Sequence, residues 1–86
     1  MFKSNQRHNS NTKYPKLKRL QGLMKEYDIT VAELSKHIGR ATSTVSKANN
    51  GHNLFDSMDM QNIQKLINSK AEKQGKKYTI DEIFFS

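Results

Sequence analysis

Eighty-six residues carrying 15 Lys and Arg against 8 Asp and Glu, a formal charge of +7, are enough for one small basic domain and too few for an added sensor or catalytic domain. The charge suits a polyanionic partner and argues against an acidic one. Cysteine is absent, which excludes disulfides and thiolate metal sites, and no window approaches the roughly 20 apolar residues that span a bilayer.

Met1 to Lys13 holds three basic residues, no acidic one, and only Phe2 as a large apolar side chain beyond Met1. Such a stretch buries too little to order itself, so residues 1–13 are read as a flexible basic tail and 14–86 as the folded domain. In a second reading Lys3, Arg7 and Lys13 follow phosphates or enter a minor groove. The tail also lacks the apolar core of a signal peptide, so a soluble protein of the cytoplasm is expected.

Pro15 suits the first position of a helix, where its missing amide costs nothing. Leu17, Leu20, Met24 and Tyr27 follow at three- and four-residue spacing with Leu23 at the edge of the stripe, which predicts a first helix over Pro15 to Tyr27. Lys16, Lys18, Arg19 and Lys25 take its wet side. Gly22 weakens this helix by about 1 kcal/mol relative to Ala and marks a candidate close contact.

Thr30 and Glu33 have the spacing of a reciprocal capping box. Val31, Leu34 and Ile38 then form one apolar face, and Gly39 supplies the positive φ that ends the helix. After the link Gly39 to Ala41 a second helix starts near Thr42. It buries Val45 and Ala48, leaves Thr42, Ser43, Thr44, Ser46, Lys47 and Asn49 outside, and closes at Asn50 and Gly51. Two short helices joined by a Gly-led turn, the second with an outer face of hydroxyls, amides and lysine, suit insertion into a DNA major groove.

His52 to Phe55 is a link. Asp56 caps a fourth helix through Met60, Ile63, Leu66 and Ile67, running on past Ala71 to Gln74 and ending at Gly75. Lys76 and Lys77 lead to a second Thr-x-x-Glu box, Thr79 to Glu82, which announces a short fifth helix. The expected core is Leu17, Leu20, Met24, Leu34, Ile38, Val45, Ile63, Ile67, Ile80 and Ile83. Ile80, Ile83, Phe84 and Phe85 leave more apolar surface than one short helix needs: some, Ile80 and at least one Phe among it, closes the core over the first helix, and the rest is a candidate contact surface for a second subunit. No nucleophile motif or phosphate-cradling loop is present, and His8, His37 and His52 lack metal-ligand spacing. The expectation is therefore no enzyme, no cofactor and no metal.

The stretch Thr30 to Gly51 resembles the helix-turn-helix of the Cro and phage-repressor class of bacterial and phage regulators, matching its spacing without a gap. Leu34, Ile38, Gly39, Val45 and the run Ser43 to Lys47, closed by Asn50 and Gly51, carry the resemblance. Ser35 stands where that class keeps a small residue between its helices. More loosely, the resemblance covers Leu17 to Phe84. It implies an all-α, lambda-repressor-like compact bundle of about five short helices. It also implies a sequence-specific transcriptional regulator of phage or prophage type, reading double-stranded operator DNA with the helix Thr42 to Asn50. The candidate DNA contacts are Thr42, Ser43, Thr44, Ser46, Lys47 and Asn50, with Asn53 secondary to its alternative as an ordinary turn residue. A homodimer on DNA is implied by the same analogy. If phage-encoded, the protein would act in the cytoplasm of the bacterial host.

Three positions depart from the pattern. Val31 replaces a Gln that often braces the recognition helix on a phosphate, Arg40 occupies an apolar turn position, and Ala41 replaces a capping Ser. With neither Gln nor Arg on the second helix for bidentate base contacts, these departures favour a second reading. In it, the same fold is a protein-interaction module, a modulator or antirepressor that binds a phage repressor or another regulator.

Overall fold

The structure, a computed structural model, describes residues 14–85; the proposed tail Met1–Lys13 lies outside the described residues. Five α-helices and no strand make up this part of the chain: α1 Lys18–Glu26, α2 Val31–Ile38, α3 Thr42–Asn49, α4 Ser57–Ala71 and α5 Ile80–Phe84, with a 3-10 turn Glu72–Gln74 prolonging α4. The all-α architecture expected from the apolar stripes is thus the one adopted.

Local chemistry starts and stops these helices. The Thr30 hydroxyl accepts from the Glu33 amide at 3.0 Å, but Glu33 sends its carboxylate to Lys70 of α4 at 3.1 Å, so the expected reciprocal box is half formed. The box before α5 is complete, with Thr79 Oγ1 accepting from the Glu82 amide at 3.1 Å and the Thr79 amide donating to Glu82 Oε1 at 2.9 Å. Asp56 caps α4 by accepting from the Asp59 amide at 2.8 Å. Gly39, at φ +73, ends α2, and the next amide, that of Arg40, turns back to the Ser35 carbonyl at 3.0 Å.

Helix α2 lies against α3 and α4, α1 against α3 and α5, and α4 against α5. Leu20, Leu23, Leu34, Val45, Ile63, Ile67 and Ile83 are fully buried where these faces meet. Each such side chain contributes about 1.5 to 3 kcal/mol of transfer free energy. Leu17, Ile38 and Ile80, expected in the core, flank it half-buried. Connecting segments supply Ile29, Phe55 and Tyr78 instead. Phe55 meets Phe84 edge to face with ring centres 6.1 Å apart, and Tyr27 meets Tyr78 at 6.4 Å.

Three expectations for the first helix are corrected. It begins at Lys18, not Pro15, because the amides of Tyr14 and Leu17 are spent elsewhere: they donate to the carbonyls of Gly51 at 2.9 Å and Asn49 at 3.0 Å. Residues 14–17 therefore form a strap across the end of α3. Leu23 is central, fully buried, while Gly22 has open space around it and marks no close contact.

Candidate nucleic-acid interface

Helix α3 divides cleanly into two faces. Val45 and Ala48 point inward as expected. Asn49, expected outside, is corrected to a buried position at 5 % exposure, since it follows Val45 by four residues and shares its stripe. Its carbonyl takes hydrogen bonds from the Leu17 amide and from Gln21 Nε2 at 2.7 Å. Its Nδ2 donates to Met24 Sδ at 3.7 Å, and Oδ1 has no partner. Asn49 thus joins α3 to α1 and its strap.

On the opposite face Thr42, Ser43, Ser46 and Lys47 are exposed, followed by Asn50 and then Asn53 in the link; Thr44 is half-buried. Among the described residues none of these seven side chains is engaged by another group of the chain. Thr42, Ser43, Ser46, Lys47 and Asn50 therefore stand on the solvent side of α3 as free donors and acceptors, whereas Thr44 and Asn53 line a hollow beside Arg40 and Asp56. Ala41 takes the capping position with extended backbone, φ −69 and ψ 150, yet has no side-chain oxygen, and the first turn of α3 holds no acid. The first amides of α3 are left without a side-chain cap.

No carboxylate occurs between Leu34 and Phe55. The nearest acids beyond Phe55 are Asp56 and Asp59 at the start of α4, and Arg40 neutralises both. Its Nη2 lies 2.9 Å from Asp56 Oδ2, and its Nε sits 3.1 Å from Oδ1 and 3.2 Å from Oδ2 of the buried Asp59. The Asp59 hydrogen bond first, then the charges of Asp59 and Asp56, push the guanidinium pKa above its ordinary value. Arg40, an oddity in the turn when the family pattern alone is considered, is thus a clasp from the α2–α3 link to α4. Asp56 and Asp59, three residues apart at a helix start, were the one signal for it, and their partner could not be read from spacing.

Behind this face, Ser35 is buried with its hydroxyl returned to the Val31 carbonyl. Val31, which stands in place of a phosphate-bracing Gln, is half-buried against the core edge. Among the described residues no three His, Asp or Glu side chains converge as a metal site, and no helix is long and apolar enough to cross a membrane.

Comparison with known proteins agrees with this geometry. The family model of the Cro/C1-type HTH DNA-binding domain matches residues 19–69, from the first turn of α1 to near the end of α4. No curated protein and no solved structure matches the chain.

Proposed function

Because this chain belongs to the Cro/C1-type helix-turn-helix DNA-binding domain family, a non-catalytic family, we propose that it is a sequence-specific transcriptional regulator of the phage or prophage Cro or repressor type. In this reading α3 enters the major groove of operator DNA. Thr42, Ser43 and Ser46 reach base edges, Lys47 takes a guanine edge or the backbone, and Thr44, Asn50 and Asn53 border the contact. The basic segment 1–13, which precedes the domain 14–86, follows phosphates. Two copies acting together would read two half-sites, in the cytoplasm of a bacterial cell, the host cell for a phage-encoded protein.

The observation that carries the reading is the outer face of α3, with its free hydroxyls, Lys47 and Asn50 inside a stretch that holds no carboxylate. The Arg40 clasp supports it by removing two nearby negative charges from the field that phosphates would meet. A second reading, the interaction module that binds a repressor, is favoured by one fact: α3 carries neither Gln nor Arg, and the nearest Arg is already committed to Asp56 and Asp59.

The experiment is selection of binding sites from random duplex DNA, followed by titration of variants against the winner and against unrelated DNA. Thr42→Ala and Ser43→Ala are expected to cost about 1 to 3 kcal/mol on the selected site and little on unrelated DNA. If no sequence is enriched, while the protein binds a repressor and the same substitutions disrupt that binding, the interaction module replaces the DNA reading.

A further inference from the structure

One Asn in the chain is followed directly by Gly, and the fold sets this pair, Asn50 and Gly51, at the end of α3. Gly51 is required there, since its φ is +88 and an added Cβ would collide with the Tyr14 carbonyl oxygen. Asn50 is exposed beside the outer face of α3, whereas Gly51 is buried. Asn is a chemically labile residue, and a following Gly makes it more so, because no Cβ shields the backbone nitrogen that attacks its side-chain amide.

In the folded chain that attack is held off. Asn50 has φ −94 and ψ 6, which turns the Gly51 nitrogen away from Cβ, so a five-membered ring cannot close until the Cα–C bond rotates. Rotation swings the Gly51 peptide, and three hydrogen bonds oppose it. The Gly51 amide donates to the Ala48 carbonyl at 3.3 Å, the His52 amide to the Lys47 carbonyl at 2.9 Å, and the Tyr14 amide to the Gly51 carbonyl at 2.9 Å. The first two belong to the end of α3 itself. The third comes from the strap, where Tyr14, Pro15 and Lys16 are exposed, so this end opens at lower cost than the core.

We propose that Asn50 and Gly51 form a self-modification site controlled by the strap, in which Asn50 becomes a carboxylate when the strap lifts from the end of α3. The Gly51 nitrogen gives its proton to solvent base and bonds to Asn50 Cγ; the Cγ–Nδ2 bond breaks, and Nδ2 takes up a proton and leaves as ammonia. Water then opens the cyclic imide at Cγ, giving aspartate, or at the Asn50 backbone carbonyl carbon, giving isoaspartate. Water is the only co-reactant. Either product places a negative charge in a stretch that otherwise holds no carboxylate, at the helix end whose dipole also disfavours it. Isoaspartate further adds a methylene to the backbone ahead of Gly51 and shifts the carbonyl that holds Tyr14. On the regulator reading, on which only the use of the site rests, the result is a one-way loss of affinity for DNA phosphates.

The test is to hold the full chain without DNA at mildly alkaline pH and body temperature while peptide mass mapping follows the exchange of amide for hydroxyl. Conversion at Asn50 to both products is expected, and Asn50→Gln should abolish it, because the longer side chain must close a larger ring. Tyr14→Pro, which deletes the strap's donor to Gly51, should speed conversion roughly two- to tenfold, the net worth of one hydrogen bond, with the helical circular dichroism retained. Unfolding the wild type in urea should speed it further, a comparison that holds whether or not the Tyr14 variant folds. An Asn50 that outlasts the other seven Asn of the chain, or reacts no faster in urea than in the native protein, overturns the proposal. So does a folded Tyr14→Pro chain that reacts at the wild-type rate. Asn50→Asp, which stands in for one product, should weaken DNA binding about tenfold or more; unchanged binding overturns the switch. Failure of the DNA reading would show differently, as a protein that converts at Asn50 yet enriches no sequence.

Discussion

At Ala41 a helix begins without the oxygen that helix starts prefer. The residue has the extended backbone of a capping position and exposes its methyl group, so a hydroxyl there meets no steric obstacle. Ala41→Ser is expected to stabilise the fold by about 0.5 to 1 kcal/mol, read as a raised denaturation midpoint with unchanged slope. Gly51 is the opposite case. Its φ of +88 alone costs another residue about 1 to 3 kcal/mol, and an added Cβ would collide with the Tyr14 carbonyl oxygen. That neighbour is backbone, and it cannot withdraw without drawing Tyr14 from the Gly51 carbonyl. Gly51→Ala should lower stability by more than the strain figure and also strip hydrogen-exchange protection from the Tyr14 and Leu17 amides. Intact protection in the variant would show that the strap is not held there.

Helices that announce themselves by short-range chemistry are legible in the sequence. Thr30, Asp56 and Thr79 each bond an amide three residues on, and Gly39 turns the chain where the stripe of α2 stops. What escapes such reading depends on distant partners. Pro15 offers a good helix start, yet the neighbouring amides bond to the end of α3 instead. Asn49 lies on the Val45 stripe, but its polarity argues for solvent; the side chain is buried against Met24 of α1, while the backbone carbonyl takes the Gln21 and Leu17 hydrogen bonds. Most exposed positions of α3 are legible because they follow from the inward positions Val45 and Ala48 by elimination; the Arg40 clasp to Asp56 and Asp59 is not. A similar long-range link joins the end of α1 to the segment before α5, where the Tyr27 and Tyr78 hydroxyls lie 3.2 Å apart. That hydrogen bond, then burial, then the charge of Glu26 push the Tyr27 pKa well above its ordinary value of 10.0. The unfolded chain loses this proton near pH 10 while the folded chain keeps it, so stability is full below pH 10 and declines as pH rises beyond it. Ultraviolet titration should find that Tyr27 ionises only as the fold is lost. An ordinary phenol titration of Tyr27 in the intact fold would show that the hydroxyl pair does not form.

For the molecule as a whole, charge is unevenly placed: three cations and no acid lie up to Lys13, then four cations against one acid from Tyr14 to Tyr27. Replacing Lys3, Arg7 and Lys13 by Ala is expected to weaken binding to all DNA sequences alike. It should flatten the plot of log affinity against log salt by about 0.9 for each phosphate no longer neutralised. Weakening confined to the selected site would mean that the tail reads bases; no change would mean that it stays off the DNA. The strap at which this segment is rooted has a consequence in time as well as in space. Tyr14 and Leu17 precede every helix in the described part of the chain, yet their partners are the carbonyls of Gly51 and Asn49. On the ribosome these residues are made early and must wait, unpaired, until the entire helix-turn-helix has been synthesised and α3 has closed. The strap, made before any of the described helices, is fastened only after three of them.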